Sequence, residues 1–213
     1  MTIDEFKNIF KNNQNFEELI NLKIIFNDLM IGPSNLTKNM LDYRGNKIDG
    51  WSSDEKRGNK EYKPPIGLIG FGLKVLDKYE KNIWIGNNNS IGEWPVAYHG
   101  VGTNQSSDHV KTIVGLIYRD TFKIGKRQAH NYFKDIYHPG KKVGNGVYCM
   151  TSIQAAEAYA GISEINDIKY KTVLMARIKP EAIGHCKCES FNWVVNGTTD
   201  EIRPYRILFK KYE

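Results

Sequence analysis

Trp94-Pro95-Val96-Ala97-Tyr98-His99-Gly100 and Gly144-Asn145-Gly146-Val147-Tyr148-Cys149-Met150 are the stretches on which the reading of this chain turns. Each is a short apolar run rich in β-branched and aromatic residues and bounded by glycine, the pattern of a strand. The first ends in His-Gly, and the second starts from a Gly-x-Gly and carries a central tyrosine. Thr151 or Ser152 can cap a helix over Ile153 to Ala160, where Ala155, Ala156 and Ala158 favour helix, and Tyr159 falls near its end. A third stretch, Phe191-Asn192-Trp193-Val194-Val195, leads through the turn residues Asn196-Gly197 to a terminal strand over Tyr205 to Phe209.

Working outward, Val96 to Tyr98, Val147 to Met150, Thr172 to Ile178, Trp193 to Val195 and Tyr205 to Phe209 read as strands. Short helices are expected at 72–79 and from Ser107 to about Ile117, with a turn at Asn87 to Ser90. Strands dominate without the regular strand–helix alternation of a doubly wound sheet, so the expected class is α+β. Upstream, apolar residues recur at helical spacing from Phe6 to Leu29 and predict two helices. The first opens with a capping-box pattern at Thr2 to Glu5, and Ile31-Gly32-Pro33-Ser34 ends the second. Residues 42–63 are polar and glycine-rich and read as a linker or loop. The expected division is therefore a helical N-terminal segment with linker, 1–62, and a second domain, 63–213.

The chain has 213 residues, 40% hydrophobic and 25% charged, which excludes disordered and collagenous classes. A domain of this size buries roughly 70% of its unfolded surface and needs no disulfide or metal to hold a core. Three cysteines without a C-x-x-C give neither a disulfide framework nor a zinc motif. The acidic start lacks the apolar core of a signal peptide, and no apolar run approaches the 18 or so residues of a membrane span. The expectation is an intracellular protein with no membrane partner. The net charge of +6 raises a polyanion as a partner, but the lysines are scattered and their clusters short, so a solvated surface explains the charge equally well.

Phosphate-loop, H-E-x-x-H and G-x-S-x-G patterns are absent, and Gly144-Asn145-Gly146 lacks the third glycine of a dinucleotide fingerprint. His185, Cys186 and Cys188 show no fourth ligand and alternate in direction on a strand, so no metal is expected. What remains are the three quoted stretches. Taken singly each has an ordinary structural explanation; together, a histidine, aromatic faces and a polar strand position suit a flat ring and a ribose. Their order and spacing resemble the catalytic domain of the poly(ADP-ribose) polymerase family, the diphtheria-toxin-like ADP-ribosyltransferases with a His-Tyr-Glu triad. His99-Gly100 matches the first motif, Gly144-Asn145-Gly146-Val147-Tyr148 the second, and Tyr159 lies eleven residues after Tyr148, as in that family. Ile113 to Gly125 resembles the loop that follows the family's helix.

The resemblance spans about residues 66–212 and implies an ADP-ribosyltransferase-like fold of split antiparallel sheets with short flanking helices. It implies NAD as co-substrate and transfer of ADP-ribose to an acceptor, protein more than nucleic acid, with release of nicotinamide. His99 would bond a ribose hydroxyl, Gly100 would meet the nicotinamide carboxamide, and Tyr148 and Tyr159 would sandwich the flat cationic ring, which aromatic faces attract. The catalytic set implied is His99, Tyr148 and the triad's third position, which falls on Asn192 where the family has Glu. Val101 and Ala156 likewise replace hydroxyl residues. Glu189, Glu201 and Glu93 are the carboxylates that could substitute. With Asn192 the expected activity is single-unit transfer; the alternative is a catalytically degenerate module that binds NAD, ADP-ribose or a protein without turnover.

Overall fold

Val173 to Ile178 is buried without interruption. A strand hidden on both faces sits at the centre of a sheet, and this one organises the fold. A computed structural model describes residues 38–42, 51, 56–102, 114–115, 117–120, 122, 146–165, 167–185, 192–195 and 199–212. The two helices expected before residue 37 lie outside them. In chain order the strands are β1 (Lys56–Arg57), β2 (Lys60–Glu61), β3 (Ile69–Gly72), β4 (Val96–Gly100), β5 (Val147–Met150), β6 (Ile162–Ile165), β7 (Ile168–Ile178), β8 (Ile183–His185), β9 (Asn192–Val195) and β10 (Ile202–Lys211). A helix, Ile153–Tyr159, follows β5, and residues 117–120 are also helical.

β1 and β2 form a hairpin of their own, and the other eight strands form one antiparallel sheet in the order β3-β10-β7-β4-β5-β9-β8, with β6 also paired to β7. The architecture is α+β and dominated by antiparallel strands. β10 covers one edge of β7, from Ile202↔Ile178 to Lys211↔Tyr170, with a register shift between Pro204 and Arg206, where proline lacks an N–H for the ladder. The other edge is shared end to end: β6 pairs with residues 168–171 and β4 with 173–177. β4 meets β5 at the single pair Tyr98↔Met150. The sheet thus has two well-laddered parts joined by one short seam.

Apolar residues of both parts form a continuous core, in which Phe71, Ala97, Tyr98, Cys149, Leu174 and Leu208 are wholly buried. Tyr98 donates its hydroxyl to Lys63 O at 2.6 Å, so the core tyrosine has a partner, and burial pushes its pKa well above the usual value. Parts of the polar stretch before Pro64 pack onto this core. Leu41 bridges to Leu73, Trp51 Nε1 donates to Leu68 O at 3.3 Å, and Arg57 is buried with its guanidinium over the Tyr62 ring.

Residues 72–79 are not helical as expected. Gly72 ends β3, and the backbone turns at Leu76 to Lys78 with Asp77 at φ +60°. The Asn82 side chain accepts from Asp77 N–H at 3.0 Å and donates to the Asp77 carboxylate at 2.8 Å. Side-chain bonds of this kind compete with the helical ladder and favour a turn.

A buried ion pair fixes the start of β4. Arg177 on β7 meets Glu93 at 3.2 Å with both side chains inaccessible. The same guanidinium donates to the carbonyls of Trp94 and Gly86. Alongside, Arg203 of β10 lies 4.1 Å from the ring centre of Tyr79 and 4.3 Å from that of Trp94. No described helix is long and apolar enough to cross a membrane.

Removing one partner of a buried pair leaves an uncompensated charge, so Arg177→Met or Glu93→Leu alone should cost about 3–5 kcal/mol. The double variant Glu93→Leu/Arg177→Met should lose clearly less than the sum, read by urea unfolding in a double-mutant cycle. Strictly additive losses would show that the pair is not the tie.

Candidate functional site

His99 and Gly100 end β4 as neighbours, so they address opposite faces of the strand. On one face the His99 ring meets Phe122, ring centres 5.2 Å apart at 79°. On the other, the end of the helix Ile153–Tyr159 lies directly on Gly100. A Cβ at residue 100 would come 2.5 Å from Ala156 O, 2.7 Å from Ala160 N and 2.7 Å from the carbonyl carbon of Tyr159. Backbone atoms cannot give way as flexible side chains do, so only glycine fits.

That helix starts where the sequence predicts. Ser152 is its N-cap, with Oγ accepting from Ala155 N–H at 3.4 Å, and only Thr151 and Ser152 separate it from β5. The short connection couples Tyr148, on β5, to Tyr159, at the helix end. Tyr148 is half-buried and Tyr159 is 48% exposed.

The backbone bonds of β4 alternate between its neighbours. Val101 N–H donates to Thr172 O and Ile178 N–H to Pro95 O, which assigns the odd-numbered residues to β7. The N–H and C=O of Gly100 therefore point toward β5. In register, Gly100 would pair with Tyr148, but the β4–β5 ladder consists of Tyr98↔Met150 alone. Tyr148 O instead receives the His99 side chain, Nδ1···O 2.9 Å. A carbonyl only accepts, so Nδ1 carries the proton and Nε2 of the neutral ring is left as an acceptor. Burial lowers the His99 pKa below 6.5, and the bond to Tyr148 O raises it by a smaller amount.

Four of the predicted site residues, His99, Gly100, Tyr148 and Tyr159, thus come together where β4 and β5 part. Asn192 starts β9 opposite Met150, two positions from Val194, which pairs with Tyr148. The candidate carboxylates are placed differently. Glu93 is the buried partner of Arg177. Glu201 precedes Ile202, which pairs with Ile178 at the opposite end of the sheet from Gly100↔Val173. Five residues of strand, about 17 Å, separate the two ends. Neither reaches His99. Glu189 lies outside the described residues, as do Cys186 and Cys188. Val101 and Ala156 are buried. Among the described residues no cluster of His, Cys, Asp and Glu could hold a metal.

Nothing in the residue pattern singles out Phe122. Its signal is an apolar residue just past a helical segment, which is too common to notice without the contact to His99. No protein-family model matches the chain, and no curated protein matches it.

Two measurements check this geometry. Gly100→Ala should destabilise by about 1–3 kcal/mol, the range for forced overpacking, as read by thermal or urea unfolding. For His99, the unfolded chain titrates near 6.5 and the folded one lower, so the unfolded state binds the proton first on acidification. Its contribution should be level above about pH 7.5 and fall as pH drops through 6.5 toward the folded value. The stability difference between wild type and His99→Gln should carry this slope; a difference independent of pH between 5 and 8 would refute it.

Proposed function

We propose that the chain is an NAD-dependent mono-ADP-ribosyltransferase of the diphtheria-toxin-like fold, acting inside the cell on a protein or nucleic-acid acceptor. The observation that carries this reading is the backbone of Gly100. Its N–H and C=O face one side together, at a position where the β4–β5 ladder has ended. A primary carboxamide, such as that of nicotinamide, needs one donor and one acceptor side by side, and one strand residue offers both. Tyr148 lies on the strand opposite Gly100 and the backbone of Tyr159 lies against Gly100, and Nε2 of His99, an acceptor in this tautomer, suits a ribose hydroxyl, which donates to it.

In such a reaction nicotinamide leaves while the ribose gains oxocarbenium character, and a nearby carboxylate stabilises that charge. Asn192 can bond the 2-hydroxyl but brings no charge. Loss of one electrostatic contact of this kind costs about 3–4 kcal/mol, on the order of 100- to 1000-fold in rate. The distance of Glu93 and Glu201 from His99 favours a second reading, a module that binds NAD or ADP-ribose without turnover. Asn192→Glu separates the two readings. For a slow enzyme, nicotinamide release should rise by roughly 100-fold or more over a measurable wild-type rate, and His99→Ala should abolish it. For a binding module, wild type should bind NAD by calorimetry without releasing nicotinamide. Absence of NAD binding to wild type and to Asn192→Glu would sink both.

A further inference from the structure

We infer that Phe122 is a positioning residue that holds the His99 imidazole in a single orientation. A ring fixed by one hydrogen bond, from Nδ1 to Tyr148 O, can still swing about that bond. The near-perpendicular contact with Phe122 supplies a second point of fixation. Phe122 is buried, with 4% exposure, and so also keeps water from this side of the imidazole. The other described neighbours add no charge: β7 opposes His99 with Leu174, β5 offers the Tyr148 carbonyl, and no charged side chain among the described residues shifts its titration. The result is a neutral imidazole with Nδ1 protonated and Nε2 aimed in a fixed direction. The consequence for NAD rests on the reading of His99 as the ribose-binding residue; the orientation of the ring does not.

The test compares wild type, Phe122→Ala and Phe122→Leu by nitrogen-15 NMR of the His99 imidazole across pH, with NAD binding by calorimetry on the same samples. Wild type should show one tautomer, protonated at Nδ1, and a pKa below 6.5. Phe122→Ala should admit water, raise that pKa and populate the second tautomer. Phe122→Leu keeps an apolar cover without the flat ring and should shift both in the same direction by less, so it decides the matter if the alanine variant does not fold. Tautomer and pKa unchanged in a folded variant would overturn the inference. NAD should bind about 2- to 10-fold more weakly to the variants, the effect of one misdirected hydrogen bond. If His99 shifts as expected but none of the proteins binds NAD, the functional reading fails and the positioning role stands. If NAD binds and the imidazole does not respond, the positioning role alone fails.

Discussion

The contact between the backbone of Gly100 and the end of the helix Ile153–Tyr159 is the constraint on which the site depends. The helix follows β5 by two residues, so its position on Gly100 also fixes β5 and the tyrosines on either side of the connection. A side chain at residue 100 would lift the helix from the strand and move Tyr148 and Tyr159 with it. The same arrangement leaves β4 and β5 joined by one pair, with the His99 imidazole bonded where a ladder amide would otherwise donate. The polar groups of the site are thus backbone groups withdrawn from a sheet.

Strength and openness lie at opposite ends of β4. At its start, Arg177 joins Glu93 and two carbonyls, and Arg203 packs among aromatic rings. At its far end the ladder to β5 stops. A strand held on one side by a single pair needs firm attachment elsewhere, and the ladder to β7 together with the buried ion pair provides it. This explains why Glu93, chemically able to serve as a catalytic carboxylate, is committed to architecture.

Much of the framework was legible because local and tertiary preferences agree. Val147 to Met150 forms a strand as read, Ser152 caps its helix, and the runs at 96–98, 172–178, 193–195 and 205–209 all fall within strands. β3 was missed because Ile69-Gly70-Phe71-Gly72 reads as a turn-rich segment, glycine being disfavoured in strands. Gly70 is there because the side chains of Arg206 and Trp51 occupy the space a Cβ would take, at 2.8 and 2.9 Å. β6, Ile162-Ser163-Glu164-Ile165, breaks its apolar residues with two polar ones, and β8 has three residues, so neither carries a clear strand signal. Motif order singled out His99, Gly100, Tyr148 and Tyr159, which the structure brings near one another. The bond from His99 to a carbonyl 49 residues away and the contact with Phe122 depend on tertiary placement, which spacing alone does not encode.

The sharing of one β7 edge by β6 and β4 bears on how the chain folds. β6 and β7 are joined by a two-residue connection containing Asp167 at φ +62°, so this hairpin closes a minimal loop. β4 must cross a far longer stretch of chain before it can pair with β7, and closing that loop costs more entropy. Topologies dominated by such distant pairings fold slowly. The local hairpin therefore offers a natural template, with residues 168–171 of β7 paired before β4 arrives beside them.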